Sequence, residues 1–370
     1  MEKECRICKK KSTTISDSLG VCAHCIKNKF NETLPLLKNA HSRARVMYDL
    51  PPEPPRSEEG MKCNFCVNNC MIQEGERGYC GIRKNIGRKL CGGGENTAKV
   101  EWYYDPLPTN CVADWICPGG SGTGYPQYAK RQGPEYGYKN LAVFFYACSF
   151  NCLYCQNWNH KAHLFSRNER SSDELVRVID ETTSCICYFG GDPSPQLPYA
   201  IHTAKRALEK KKNDIFRICW ETNGSMNEKL LSQMVELSLQ SGGCIKFDLK
   251  AFSENLHYAL CGVSNESTLK NFSVVAEHRH KRPAPPLLVA STLLVPEYVD
   301  EYEVEKISRF IANISPDIPY ALLAFHPQFH MSDLPTTSLS HATKALEVAQ
   351  KVGLTHVRLG NRHLLGKDYT

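Results

Sequence analysis

The chain has no apolar run approaching the roughly 18 residues that a membrane-spanning helix needs, so no membrane partner is expected. The opening Met1-Glu2-Lys3-Glu4-Cys5 lacks the apolar stretch of a secretory signal, and export is not expected either. Charge of one sign is also scarce. Lys and Arg number 45 against 39 Asp and Glu, a net of +6 over 370 residues. The basic residues are spread along the chain, and runs such as Lys210-Lys211-Lys212 read as solvated helix surface. A nucleic-acid partner is therefore not indicated. Internal repeats and long low-complexity segments are missing as well, which excludes solenoid architectures.

Cysteine is abundant instead: there are 19. An odd number without a secretion signal argues against a disulfide framework, and the tight spacings argue for metal. A reducing cytoplasm, where thiols survive, is the expected compartment.

Four segments follow from composition. Residues 1–30 carry Cys5-x2-Cys8 and Cys22-x2-Cys25, the paired spacing of a zinc-ribbon-like knuckle, for which a structural zinc ion is the expected occupant. Residues 31–60 hold an amphipathic stretch and then Pro51-Pro52-Glu53-Pro54-Pro55, which reads as an extended linker. Residues 61–138 are rich in Gly, Pro and Cys with little periodicity, an irregular lobe. Cys63-x2-Cys66-x3-Cys70-x9-Cys80 within it could serve zinc or an iron–sulfur cluster, although Cys91, Cys111 and Cys117 are also available as ligands.

From residue 139 to 370 apolar strand-like runs alternate with amphipathic helical patterns. Strands are expected at 141–146, 185–189, 217–220, 244–248, 287–294, 320–325 and 357–359. Helices are expected from an N-cap near Ser172, burying Leu175, Val178 and Ile179, and from an N-cap near Asn227, burying Leu230, Leu231, Met234 and Leu237. About six such units imply right-handed βαβ crossovers and a parallel sheet. The expected fold class is α/β, a partial open (β/α)6 barrel with its chemistry at the C-terminal strand ends. Cys185, Cys187, Cys219, Cys244 and Cys261 fall in or beside core elements and read as small buried hydrophobes.

Directly after the first of these strands comes Cys148-Ser149-Phe150-Asn151-Cys152-Leu153-Tyr154-Cys155. Three closely spaced thiolates can hold three irons of a cubane that normally takes four, leaving one iron open. An open position on a metal centre is a catalytic arrangement. The bland alternative is a fragment of a zinc site completed by a distant cysteine.

The C-x3-C-x2-C loop, with Tyr154 before its third cysteine, resembles that of the radical S-adenosylmethionine (SAM) superfamily. Residues 62–365 are similar to its glycyl-radical activating-enzyme branch, in particular to the group called AmmeMemoRadiSam-type, which carries the same cysteine-rich preamble. The resemblance implies a [4Fe–4S] cluster on Cys148, Cys152 and Cys155, with SAM on the open iron. It implies further contacts at successive strand ends. Gly190, Gly191 and Asp192 stand where the family has a Gly-Gly-Glu-Pro segment at the SAM amino group, with Asp in place of the usual Glu. Glu221 and Asn223 fall near the ribose or carboxylate. Glu221 and Asp248 would cradle a monovalent cation, with Lys250 available for an anionic group, or they would form a structural ion pair. Ser291 and His326 are further candidate contacts, although a histidine alone is as readily an ordinary core residue.

The implied chemistry is hydrogen abstraction from a protein or peptide substrate, fed by a one-electron donor such as flavodoxin or ferredoxin. The resemblance leaves open whether a radical is left on that partner or a methyl group is delivered through bound cobalamin, as in glutamine Cα-methylation of methyl-coenzyme M reductase. The lobe around Asp114-Trp115 and Gly119-Gly120-Ser121-Gly122 would then form the corrinoid pocket. A reading from a different class, a non-catalytic iron–sulfur or zinc protein that relays electrons or docks partners, would need four thiolates per cluster and no SAM contacts.

Overall fold

The computed structural model describes residues 2–369. Its frame is one eight-stranded sheet. In chain order the strands are β1 (Val100–Pro106), β2 (Lys139–Phe145), β3 (Thr183–Gly190), β4 (Arg217–Thr222), β5 (Ile245–Asp248), β6 (Leu288–Leu294), β7 (Tyr320–Ala324) and β8 (Val357–Gly360). Strands β2 to β8 pair in parallel and in sequence order, and β1 pairs antiparallel with β2. Each parallel step contains at least one helix, so the winding is a succession of six βαβ units. Among the described residues β1 and β8 remain the two edges of the sheet. Residues from the ends of β3, β4, β5, β6 and β7 nonetheless line one cavity, so the sheet is curled around its inner face.

The strands form where the sequence pattern places them because both faces are covered. All seven residues of β6 are buried, and β-branched and apolar side chains fill β3 and β7. The helix after β4, Glu228–Ser241, starts at Asn227, whose side chain accepts from the Leu230 N–H, and ends at Gly242 in the left-handed conformation. The helix expected from Ser172 begins one residue earlier. Ser171 caps it in a reciprocal capping box with Glu174.

Two segments differ from the expectation drawn from composition. Within the irregular lobe, β1 runs for seven residues, with Trp102, Tyr103 and Tyr104 in its centre. It is an edge strand with much of its length exposed, so its hydrophobic alternation is weak. The proline run is tethered as well: Arg45 Nε donates to Pro51 O at 2.6 Å, and the Met71 N–H donates to Pro55 O at 2.8 Å. Leu50 is buried against Tyr146, Ala147 and Leu164.

The N-terminal knuckle packs on the turns that follow β6 and β7. Its Ser16 N–H donates to the Tyr298 hydroxyl at 2.9 Å, and that hydroxyl donates to Val21 O at 3.1 Å. Lys10 pairs with Glu297 at 3.0 Å, Lys3 pairs with Asp333, and the Ser18 hydroxyl donates to His330 O.

Candidate functional site

The loop after β2 is held from every side. Asn151 N–H donates to Cys261 O at 2.8 Å and Leu153 N–H to Leu260 O at 3.0 Å, so the loop satisfies the last carbonyls of helix Glu254–Cys261. Phe150 and Leu153 anchor in the core. The Asn151 amide donates to His41 Nδ1 at 2.9 Å while its oxygen accepts from Lys161 Nζ at 2.8 Å. Asn68 donates to Ser149 O at 2.7 Å, Asn223 to Ser149 Oγ at 2.9 Å, and the His330 N–H to Leu153 O at 2.9 Å. Such fixing of a ligand-bearing loop is the work that outer hydrogen bonds do at metal centres.

Cys148, Cys152 and Cys155 all open onto one cavity of about 170 Å³ at the C-terminal strand ends. Tyr154, Gly190, Gly191, Asp192, Glu221, Asn223, Asp248, Lys250 and Ser291 line the same cavity. His326 is exposed and is not brought there; its Nδ1 stands 3.3 Å from Gln328 Nε2. Asp114 and Trp115 line neither this cavity nor the one below it. Gly120 is pressed against the Asp114 backbone, and the Asp114 carboxylate holds Arg358 at 2.8 Å. Of the glycine run, Gly119 borders the second cavity, while Gly120 is packed against its own loop.

The glycines at the end of β3 are required by close approach. A Cβ on Gly191 would meet the carbonyl oxygens of Ala147 and Phe145, the latter at 2.8 Å. In return the Gly191 N–H bonds Phe145 O at 2.9 Å and the Asp192 N–H bonds Ala147 O at 2.8 Å, so the two strand ends interlock. The Asp192 carboxylate accepts from the N–H groups of Ser194 at 2.8 Å and Asn223 at 2.7 Å and from the Thr222 hydroxyl at 3.0 Å. This carboxylate staples the end of β3 to the end of β4, and burial pushes its pKa up against those bonds.

Both acidic residues expected to cradle a cation already hold lysines. Glu221 pairs with Lys246 at 3.0 Å, and Asp248 pairs with Lys250. Burial works to raise the Glu221 pKa, but the Lys246 ammonium outweighs it and holds the carboxyl below its ordinary range. Lys250 is also deep, and its pKa is raised by Asp248 and Cys152 against the cost of burial.

Sequence reasoning missed Lys246, whose charge is hidden in a strand, and the pair His160 and Lys161 just past the loop. All three line the cavity. His160 is buried with an Nδ1 that finds no partner, and burial holds it neutral. Burial and then Arg45 bring the Lys161 pKa down to about 8. Their positions five and six residues beyond Cys155 were the available signal.

The sulfurs fit a cluster better than one ion. Four zinc-bound thiolates at about 2.3 Å stand roughly 3.8 Å apart. Among the described residues, only Cys5, Cys8, Cys22 and Cys25 form a set of three or more such ligands whose atoms all lie within 4.8 Å of one another. Cys148, Cys152 and Cys155 share a cavity without that crowding, as an object with several metal atoms requires. Cys63, Cys66, Cys70 and Cys80 likewise come together around one narrow cavity, with Phe65, Tyr79 and Arg83, while Cys91 is exposed elsewhere.

The family model of the radical SAM superfamily matches residues 142–311. An uncharacterized protein of Methanocaldococcus jannaschii is 23% identical over 307 residues, 81% of each chain. A second protein of that archaeon, provisionally named a glycyl-radical enzyme activating enzyme, is 26% identical over 216 residues, 57% of this chain and 77% of the relative. Among solved structures, a domain of pyruvate-formate lyase-activating enzyme from Bacteroides vulgatus aligns with a TM-score of 0.38 at 20% identity, covering 47% of this chain and 98% of that one. Residues 142–311 thus match the radical SAM superfamily, and the chain is similar to proteins named as activating enzymes.

Proposed function

We propose that Cys148, Cys152 and Cys155 hold a [4Fe–4S] cluster whose fourth iron receives SAM, and that the enzyme abstracts hydrogen from a protein or peptide substrate and so modifies it post-translationally. One observation carries this reading: three thiols, not crowded as around a single ion, face one cavity together with a glycine pair and two lysine–carboxylate pairs. When bound and reduced by one electron, cluster and sulfonium together supply a 5′-deoxyadenosyl radical that can break a C–H bond.

The chain's own residues do the positioning. The carbonyls around Gly190 and Gly191 offer acceptors for the amino group. Lys250 offers its ammonium to the methionine carboxylate, with Asp248 holding that ammonium in place. Asn223 and Glu221 suit the ribose, and Ser291 adds a hydroxyl on the far wall. Phe189, Leu293 and Leu323 give the apolar surface that excludes water from a reactive centre. A small flavodoxin- or ferredoxin-like protein is the expected electron donor. The Cys5, Cys8, Cys22, Cys25 knuckle suits one tetrahedral zinc ion.

The test is anaerobic reconstitution with iron and sulfide, followed by dithionite and SAM. Formation of 5′-deoxyadenosine, lost in each of Cys148→Ala, Cys152→Ala and Cys155→Ala, is the expected result. An intact cluster that yields none overturns the reading. Hydroxocobalamin retained through gel filtration would turn it toward methyl transfer.

A further inference from the structure

Six thiols that the first site does not use converge on a second cavity, of about 120 Å³, on the inner face of the curled sheet. Cys185 and Cys187 come from β3, Cys219 from β4, Cys244 from the residue before β5, and Cys111 and Cys117 from the loop after β1. The register explains the convergence. Cys187 stands directly beside Cys219, and Cys185 lies two residues earlier on the same face of β3. Trp220 pairs with Ile245, which sets Cys244 next in that row. Phe189, Glu221 and Lys246 border both cavities, so the second lies directly against the first.

Buried cysteines are often only small hydrophobes, but three observations speak against that here. The interiors of such barrels are filled by bulky branched side chains, whereas these strands turn thiols inward around open space. The alternating positions Ile186, Tyr188, Ile218, Trp220 and Ile245, on the other face, are ordinary core residues. The thiols also surround a charge. Lys246 Nζ stands 3.1 Å from Cys111 Sγ and 3.2 Å from Cys187 Sγ, besides its bond to Glu221.

We propose that this cavity holds an auxiliary iron–sulfur cluster ligated by Cys111, Cys117, Cys187 and Cys219. Cys111, Cys117 and Cys219 are the half-buried thiols of the six and Cys187 stands beside Cys219, whereas Cys185 is buried and donates to Asn140 Oδ1 at 3.3 Å and Cys244 is buried with Ala113 and Val289; Cys111 in turn donates to Glu221 Oε1 at 3.3 Å. Soft thiolates select iron–sulfur clusters, zinc or copper(I). A single ion needs sulfurs closer than these, since the knuckle set alone falls within 4.8 Å among the described residues. Four ligands give every iron a protein thiolate, so this cluster is closed to SAM, unlike the one above it. On binding, each thiol gives up its proton to solvent and no electron is transferred.

The site is tested independently of the first one. The Cys148→Ala/Cys152→Ala/Cys155→Ala protein, reconstituted anaerobically, is compared with the same protein carrying Cys187→Ala and Cys219→Ala as well. The expected difference is about four iron and four sulfide per chain, with loss of one cluster signal in the EPR spectrum of the reduced protein. Equal iron and sulfide in the two proteins overturns the proposal. Should the five-fold variant fail to fold by circular dichroism, iron-edge anomalous scattering from crystals of the reconstituted wild-type chain decides. A peak between Cys187 and Cys219 supports the cluster, and a cavity without iron beside an occupied first site refutes it.

Discussion

The Cys261 sulfur lies 3.6 Å from the Cys152 sulfur, behind the loop and outside the cavity that Cys152 faces. Hydrogen bonding from Cys261 is the leading reason that the Cys152 thiol titrates below its ordinary range. With Cys152 as a thiolate, the Cys261 S–H is the donor, and donors to cluster sulfurs raise the reduction potential. Cys261→Ala removes the donor while leaving all three ligands. A hydrogen bond is worth about 1 kcal/mol, which for one electron is about 40 mV. The cluster potential of this variant is expected to fall by roughly that amount in an EPR-monitored titration, at unchanged iron content, and Cys261→Ser should restore most of it. An unaltered potential in both variants would mean that Cys261 is only packing.

Lys246 and Glu221 form a linked pair at the border of the two cavities. Lys246→Met strands the Glu221 carboxylate, and cutting one partner from a buried pair costs several kcal/mol. Because the Glu221 side chain keeps 31% of its exposure, about 2 kcal/mol is the expected loss in denaturant unfolding of the anaerobic protein. The double variant Lys246→Met/Glu221→Gln should recover more than half of it. Additive losses in the two single variants and the double would show that the pair is not coupled.

Strand positions were legible in the sequence because burial on both faces writes near-continuous apolar runs, and all seven expected strands are present. The three-cysteine loop was legible because its cysteines are close together in the chain, and all three line one cavity. What escaped was anything that depends on register across strands. Cys187, Cys219 and Cys244 lie 32 and 25 residues apart in the chain, yet the sheet sets them in one row. Taken singly, each has the signature of a core hydrophobe. Lys246 was hidden for the same reason, since its partners Glu221, Cys111 and Cys187 come from three other elements. The edge strand β1 escaped because an exposed strand has little apolar alternation to show.

His41 and His257 are both buried, and burial brings each pKa down to about 4. His41 Nε2–H donates to the carbonyls of Tyr258 and Ala259, at 3.0 and 3.1 Å, and its Nδ1 accepts from the Asn151 amide. In the unfolded chain these rings take up protons below about pH 6.5, while in the folded chain they wait until about pH 4. The unfolded state therefore binds more protons in that window, and stability falls as pH drops from about 6.5 to 4. Each ring contributes on the order of 3 kcal/mol across the whole range. Protonation of His41 also breaks the bond to Asn151 inside the cluster loop. Denaturant midpoints measured at pH 7, 6 and 5 should decline steeply, and His257→Gln should flatten part of that decline. A flat profile in the wild-type protein would show that neither ring is held neutral by the fold.

The knuckle is fastened to the same turn that fastens the cluster loop. Ser18 reaches His330 O, and the His330 N–H in turn holds Leu153 O between Cys152 and Cys155. Phe329 stacks on Trp158 with ring centroids 6.0 Å apart and planes within 10°. A metal ion held by Cys5, Cys8, Cys22 and Cys25 would fix the segment that bears Ser16 and Ser18, because small sites of this kind lose their structure without metal. Cys8→Ser/Cys25→Ser is expected to lose one ion per chain, to lower the melting temperature by several degrees, and to speed bleaching of the cluster absorbance in air several-fold. The three cluster ligands remain untouched in that variant, so the faster bleaching reports a loosened loop. If the ion is lost while the bleaching rate stays at the wild-type value, the knuckle and the cluster loop are mechanically independent.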